Sequence, residues 1–171
     1  MTTHFVRLAL TLACGSLLIA CNEASNKQSI PQEIGNESYC SLDGMPLVDY
    51  PGPKAQIHYS QGEPDLFCDT VELFAMYLQP EQEKHIVALF VQDMSKNDWE
   101  HPTDAWIDAR SAYYVWGSKR HGSMGPTLAS FAKESDAKAF ARTEGGEVLA
   151  FDQITLDKVT LDGGVLKDRA M

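Results

Sequence analysis

Sulfur-bearing side chains in two glycine-rich segments are the residues best suited to chemistry. Cys40 and Met45 lie five residues apart in the segment CSLDGM, and Met124 lies within the segment GSMGP. Methionine usually fills gaps in a core, but in a glycine-rich turn it has no periodic apolar neighbours to pack against. Thiolate and thioether donors select the soft Cu(I) ion over zinc, magnesium or calcium. The sequence therefore predicts a Cu(I) site with Cys40, Met45 and Met124 as ligands.

His121 is a further candidate ligand because it stands three residues before Met124. A neutral imidazole could complete a three-coordinate site. A histidine beside Lys119 and Arg120 is, however, more often solvated surface than a ligand. Zinc would call for more cysteine or histidine at short spacing, such as a C-x2-C pair, and the sequence contains no such pair.

The N-terminus has the pattern of an export signal. Arg7 supplies a positive charge, and residues 8–18 form an apolar stretch. The segment LIAC that follows resembles the bacterial lipobox, in which the signal is cut before the cysteine. Residues 1–20 are therefore predicted to be removed, and Cys21 to be lipidated and to anchor the protein to a membrane.

A polar segment separates this anchor from the rest of the chain. Residues 21–37 lack any apolar period and are predicted to form a lipidated, flexible tether. Asn22 follows the lipidated cysteine, where an aspartate is associated with retention in the inner membrane of enteric bacteria. The prediction is a periplasmic protein held by its lipid, with the outer membrane as a compatible destination.

The four cysteines leave two open alternatives for the mature chain. Cys14 leaves with the signal and Cys21 carries lipid, so Cys40 and Cys68 remain. In an oxidising compartment two such cysteines most often form a disulfide, which would make this a thiol–disulfide protein. Cys68 is otherwise most simply a buried thiol between a strand and a helix.

Charge and motif content exclude other classes of function. The chain has 14 Lys+Arg against 24 Asp+Glu, a net charge of −10, and 44% hydrophobic residues. An acidic globular chain without basic clusters is not a nucleic-acid binder. No phosphate loop, nucleophile elbow or C-x-x-C redox pair occurs, so no enzyme is predicted. A lipid-anchored scaffold with an acidic contact surface remains an alternative.

Apolar periodicity and turn signals predict an α+β fold of two pseudo-repeated ββαβ units packed together. The first unit, 38–94, is predicted to contain strands at 55–59 and 65–68, a helix from Asp69 to before Pro80, and a strand at 86–91. The second unit, 95–155, is predicted to contain strands at 105–109 and 112–116, a loop at 117–125, a strand at 126–131, a helix at 134–144 and a strand at 147–151. Residues 156–171 form a C-terminal extension. Met45 and Met124 would then face each other across the seam between the units.

Seven segments, taken in order, resemble the NosL family of copper-binding lipoproteins that accompany nitrous oxide reductase. They are CSLDGM (40–45), DYPGPKAQI (49–57), FCDTVE (67–72), VQDM (91–94), WIDA (106–109), GSMG (122–125) and GGEVL (145–149). One position departs from the pattern, because some relatives carry C-x-x-C-G-M where this chain has Asp43. Cys40 and Met45 must therefore serve without a second thiolate in this turn.

The resemblance implies a periplasmic Cu(I) carrier built from paired ββαβ units. It implies apo-nitrous oxide reductase and an associated membrane transporter complex as partners. A carrier with few ligands suits this role, because an incoming partner can supply a ligand before the old ones leave. The residues alone indicate only that a soft ion is bound.

Overall fold

The computed structural model describes residues 29–81 and 84–159. The predicted signal peptide, the lipidated Cys21, residues 22–28 of the tether and residues 160–171 lie outside this part of the chain. The described elements are β1 (Ala55–Tyr59), β2 (Asp65–Phe67), α1 (Thr70–Tyr77), β3 (Ile86–Gln92), β4 (Trp106–Asp108), β5 (Tyr113–Trp116), β6 (His121–Gly122), β7 (Gly125–Pro126), β8 (Ala129–Phe131), α2 (Glu134–Glu144) and β9 (Glu147–Ala150). Within these residues no helix is long and apolar enough to cross a bilayer.

The first sheet is antiparallel with the strand order β2-β1-β3-β4. Its central strands are rich in buried apolar residues, including Ile57 on β1 and Leu89 on β3. Helix α1 follows β2 directly because Asp69 caps its N-terminus, accepting a hydrogen bond from the Val71 amide at 2.9 Å. The predicted strands and helix of the first unit are confirmed.

The second sheet has the order β8-β5-β9, and β6 and β7 pair separately as a short hairpin. Helix α2 places the buried Ala137 and the half-buried Phe140 against this sheet. In both sheets the first strand is central, with the second strand and the strand after the helix on either side. The α+β class is confirmed, while the origin of the two units as a repeat stays a prediction.

Two details of the second unit differ from the expected pattern. Strand β4 was placed in the unit 95–155, but it hydrogen-bonds to β3 and forms the edge of the first sheet. The predicted loop 117–125 contains β6, and the predicted strand 126–131 is divided between β7 and β8. The first difference arises from long-range strand pairing, which local periodicity does not encode, and the second arises from a local hairpin that pairs His121 with Pro126.

The two sheets and α1 share one main core. Phe74 of α1 meets Tyr114 of β5 edge to face, with ring centroids 5.1 Å apart. The Tyr114 hydroxyl is buried and donates to the Ala109 carbonyl oxygen at 2.7 Å. A second, smaller cluster lies beside the first sheet and contains sulfur; its members are Cys40, Leu47, Leu66 and Cys68, with Ile34 and Met45 packed against them.

Candidate metal centre

A tight turn at residues 40–45 directs Cys40 inward. The Cys40 amide donates to the Met45 carbonyl oxygen at 2.8 Å, and the Gly44 amide donates to the Cys40 carbonyl oxygen at 2.9 Å. Gly44 has φ of +77°, a conformation that favours glycine. Asp43 stabilises the turn by accepting from the Met45 amide at 2.9 Å. The turn thus closes on itself and leaves Cys40 only 3% exposed.

The turn is fastened to the edge of the first sheet. The Ser41 amide donates to the Leu66 carbonyl oxygen at 2.7 Å. The Leu66 amide in turn donates to the Ser41 hydroxyl oxygen at 3.0 Å. Because Leu66 lies on β2, this pair of hydrogen bonds brings Cys40 beside the residue that follows the strand, which is Cys68.

Cys68 and Glu72 complete the group of donors. Cys68 is fully buried between β2 and the α1 cap, and Glu72 lies four residues later in the first turn of α1. The Sγ atoms of Cys40 and Cys68 each lie 3.3 Å from Oε2 of Glu72. One ligand atom from each of Cys40, Asp43, Cys68 and Glu72 falls within 4.8 Å of the others, close enough to share a metal ion.

The second carboxylate oxygen of Glu72 is orphaned. Oε1 is buried and has no hydrogen-bond partner among the described residues. Burying an unpaired carboxylate oxygen is costly, so native proteins rarely leave one without a bound ion, water or functional reason. A cation held by the two sulfurs and this carboxylate would satisfy that oxygen.

The two thiols have opposite acidities. The hydrogen bond from the Cys68 thiol lowers the pKa of Cys40 to about 6, although burial opposes the shift. The same hydrogen bond, together with burial, raises the pKa of Cys68. Burial, followed by the charge on Cys40, raises the pKa of Glu72 to about 7. At neutral pH one sulfur is therefore a ready thiolate and the other keeps its proton.

A buried lysine supplies positive charge near this acidic group. Lys54 is fully buried, and its Nζ donates to the carbonyl oxygens of Tyr50, Pro51 and Gly52 at 2.8 to 3.0 Å. Burial lowers the pKa of Lys54 to about 8, and the nearby acids and thiols act in the other direction. The ammonium group thus stays charged at neutral pH and offsets part of the negative charge of the site.

The predicted methionines lie in different environments. Met45 is half-buried and packs against the cluster that contains both thiols. Met124 is 42% exposed at the tip between β6 and β7. Its neighbour Ser123 reaches the site, because the hydroxyl lies 2.7 Å from the Cys68 carbonyl oxygen and 3.1 Å from Cys68 Sγ. The hairpin of Met124 is thus joined to the thiols through Ser123.

His121 makes its described contact through the backbone. The Trp99 indole N–H donates to the His121 carbonyl oxygen at 2.9 Å, and the His121 side chain is exposed. In the part of the chain that is described, no hydrogen bond joins its imidazole to Cys40 or Cys68. Its role as a ligand stays a prediction.

Cys68, Glu72 and Asp43 were not among the predicted ligands. Cys68 was considered as a disulfide partner or a packing residue, whereas the structure has both cysteines as free thiols. The signal that could have found the site is the four-residue spacing from Cys68 to Glu72 across a helix cap. Across this cap the Glu72 side chain reaches back to Cys68, with Oε2 3.3 Å from the Sγ atom.

Fold and site together define a small α+β protein with a buried thiol and carboxylate group suited to a metal ion. The NosL family model matches residues 31–159, and the chain belongs to the NosL family. The family membership that the seven segments indicated is therefore confirmed.

Similar proteins include two copper-binding lipoproteins and one solved structure. The chain is 44% identical over 150 residues to the "Copper-binding lipoprotein NosL" of Stutzerimonas stutzeri, covering 86% of this chain and 77% of the relative. It is 38% identical over 155 residues to the protein of the same name from Achromobacter cycloclastes, covering 88% and 80%. The crystal structure of the copper chaperone NosL from Shewanella denitrificans superposes with a TM-score of 0.71 at 37% identity, covering 75% of this chain and 97% of that one.

Proposed function

We propose that this protein is a periplasmic Cu(I)-binding lipoprotein metallochaperone. The observation that carries the proposal is the pair of buried thiols, Cys40 and Cys68, each 3.3 Å from one oxygen of Glu72. Thiolates and thioethers favour Cu(I), and the half-buried Met45 packs against the cluster that contains both thiols. The names of the relatives, copper-binding lipoprotein and copper chaperone, support the same function.

In this proposal each donor has its own role. Cys40 is the first ligand because its lowered pKa makes it a thiolate at neutral pH. Cys68 becomes the second when copper displaces its proton. Met45 adds a thioether from the same turn, and Met124 adds one from the hairpin, where its exposure lets it reach a partner. His121 remains a candidate for the last position.

The destination of the copper is the finer part of the proposal. We infer delivery to apo-nitrous oxide reductase for assembly of its copper centres, together with an associated membrane transporter complex. Lipidation at Cys21 would hold the protein at a membrane on the periplasmic side, with the outer membrane as a compatible location. The proposed role is transport of an ion and not catalysis.

An anaerobic Cu(I) competition titration tests the binding proposal. The protein is the reduced mature chain from residue 21 with Cys21→Ser, so that its thiols are those of Cys40 and Cys68. Tight 1:1 binding is expected, with a loss for Cys40→Ser or Cys68→Ser greater than the roughly 10- to 100-fold that a supporting residue costs.

Methionine variants then test the thioether ligands. Met45→Leu and Met124→Leu should each weaken Cu(I) binding, since leucine keeps the size of the side chain and removes the sulfur. Met94→Leu is the matched control, because Met94 is buried in the separate cluster of the second unit. Affinity that is indifferent to both cysteines would contradict the proposal. Affinity indifferent to Met45 and Met124 would contradict this ligand set alone.

The proximity of the two sulfurs also supports a second candidate, a thiol–disulfide protein. Cys40 and Cys68 Sγ lie within 4.8 Å of each other, although both are free thiols in the structure. A disulfide would remove both thiolates and abolish Cu(I) binding. Two results would together favour this candidate over the carrier. The cysteine pair would be oxidised in the periplasm, and it would stay oxidised in equilibrium with glutathione at its physiological ratio.

A further inference from the structure

The hairpin that carries Met124 is packed closely at its base. Gly122 is buried, and a Cβ atom on it would overlap Oδ2 of Asp69 and lie 3.0 Å from Cβ of Thr127. From the other side, a Cβ atom on Gly52 would lie 2.7 Å from the Gly122 Cα. Only a residue without a side chain fits between these neighbours, so the base of the hairpin has little freedom to shift.

Asp69 joins this base to the start of α1. Its Oδ1 accepts from the Thr127 hydroxyl at 2.7 Å and from the Val71 amide at 2.9 Å. The neighbouring Thr70 hydroxyl donates to the Leu128 carbonyl oxygen at 2.7 Å. Asp69, Thr70 and Thr127 are all buried. The network therefore connects the helix cap of the first unit with the strand segment that leaves the hairpin.

Helix capping explains only one of the two carboxylate oxygens of Asp69. A cap requires one oxygen, and Oδ1 provides it. Oδ2 is fully buried, lies against Gly122 and has no hydrogen-bond partner among the described residues. Serine or asparagine could also cap the helix, but serine has no second oxygen to place against Gly122 and asparagine would place an NH2 group there.

Two adjacent residues of the β2–α1 junction thus hold two adjacent residues of the hairpin. Asp69 packs on Gly122, and Cys68 accepts the hydrogen bond of Ser123. The next residue along the hairpin is Met124. We propose that Asp69, acting through Thr127 and Gly122, is a positioning residue that presents the Met124 thioether to the Cys40 and Cys68 sulfurs. This inference rests on the proposed function.

The test compares variants that remove the network with one that removes an equivalent bond elsewhere. Thr127→Val keeps the shape of the side chain and removes the hydroxyl that donates a hydrogen bond to Asp69. Ser130→Ala is the matched control, since its buried hydroxyl donates to the Gln92 carbonyl oxygen at 2.6 Å on β8, outside the hairpin. Thr127→Val should weaken Cu(I) binding about 10- to 100-fold, and Ser130→Ala should leave it unchanged.

Gly122→Ala and Asp69→Asn extend the same test. Gly122→Ala should displace the hairpin and weaken Cu(I) binding in the same range as Thr127→Val. Asp69→Asn keeps the cap acceptor and changes the group that faces Gly122, so it should weaken Cu(I) binding in the same direction as Gly122→Ala. If Asp69→Asn fails to fold, Thr127→Val carries the test.

A double-mutant cycle distinguishes positioning from general stabilisation. In a Met124→Leu background the effect of Thr127→Val on Cu(I) affinity should disappear, because there is no thioether left to position. X-ray absorption at the copper edge should show one fewer sulfur donor in Thr127→Val than in the parent. Equal losses in both backgrounds, or an unchanged sulfur count, would overturn the inference.

Failure of this inference is distinguishable from failure of the proposed function. If the parent protein binds Cu(I) through Cys40 and Met124→Leu has no effect, there is nothing for Asp69 to position, yet the carrier function stands. If the parent does not bind Cu(I), the proposed function itself is contradicted.

Discussion

Two segments place a thiol beside the same carboxylate oxygen, and the pKa values of the two thiols are shifted in opposite directions. The turn 40–45 holds Cys40 with a lowered pKa, while the junction between β2 and α1 holds Cys68 with a raised one. Both sulfurs are buried and equidistant from Glu72 Oε2, so depth alone does not separate them. The interaction between the two thiols does, because it favours the thiolate of Cys40 and disfavours that of Cys68.

The two segments also differ in how exposed their surroundings are. The turn contains the exposed Leu42 and follows the exposed Tyr39, whereas the junction residues Cys68, Asp69 and Glu72 are all buried. Burial raises the pKa of Asp69 to about 6 and that of Glu72 to about 7, so the junction favours neutral forms. In the proposed site the turn contributes a charged donor, and the junction contributes Cys68 and Glu72, which would lose protons on binding a cation.

The largest expected effect of this difference is on the pH dependence of Cu(I) affinity. Between pH 7 and 9 Cys40 is already ionised, so loading displaces one proton from Cys68 and, near pH 7, a further fraction of a proton from Glu72. Affinity should then rise about tenfold per pH unit above pH 8 and more steeply near pH 7, or about 100-fold or more over the interval. Competition titrations at fixed ionic strength measure the slope, and proton release into a weak buffer checks the stoichiometry. A flat profile would show that Cys68 holds no proton to displace, and a slope of two protons per ion would show that both thiols are protonated.

A smaller effect is expected on the stability of the reduced, metal-free protein. Asp69 and Glu72 have ordinary pKa values of 3.8 and 4.5, and the fold raises both, so the folded state keeps protons that the unfolded chain releases. The free energy of unfolding should therefore fall as pH rises from about 4 to 6. For the fully buried Asp69 the change is on the order of 2 kcal/mol.

The turn should have the opposite effect at higher pH. The folded state loses the Cys40 proton near pH 6, while the unfolded chain keeps it until near 9, so stability should rise between pH 7 and 8. Urea unfolding at a series of pH values should give a minimum near neutrality. Asp69→Asn should remove much of the acid-side decline and leave the rise, to which Cys40 and the buried Lys54 both contribute. If stability changed in one direction only with pH, in both the parent and Asp69→Asn, the opposite pKa shifts inferred for the turn and the junction would be contradicted.

The smallest expected effect concerns the hydrogen bond between the thiols. In the parent, absorbance at 240 nm should report one thiolate that forms with a midpoint near pH 6. Cys68→Ala removes the donor, so the midpoint of Cys40 should move upward, toward the usual thiol value of about 8.5. Met45→Leu, which leaves both thiols in place, is the control and should not move it. An unchanged midpoint in Cys68→Ala would mean that the turn alone acidifies Cys40.

The sequence predicted the parts of this fold that depend on neighbouring residues. The cap at Asp69, the helix stop before Pro80 and the apolar run of β3 are local patterns, and all three elements formed where expected. The expected full burial of β3 was wrong, because Val87 is exposed and Leu89 and Val91 are buried. The glycine turn of Cys40 and Met45 was also visible locally. What local patterns could not give was the pairing of β4 with β3, because nothing within residues 106–108 specifies which strand they join.

The same limit explains what was missed in the site. Cys68 and Glu72 meet Cys40 only because Ser41 and Leu66 are hydrogen-bonded across 25 positions of sequence. Seen alone, Cys68 is an apolar residue between a strand and a helix. Glu72 looks like an ordinary acidic residue in the first turn of a helix. Cys68 and Glu72 can be recognised as candidate metal donors only when the fold has placed the turn beside the junction.

The shortness of the β6–β7 hairpin has a kinetic consequence. Two residue pairs join these strands, His121 with Pro126 and Gly122 with Gly125, and proline has no amide hydrogen to donate. Such short ladders open locally at a small fraction of the free energy of global unfolding. We expect amide hydrogens at 123–125 to exchange with solvent far faster than those of β1 and β3. Opening of this tip, and not unfolding of the domain, would then set the rate at which a bound ion leaves.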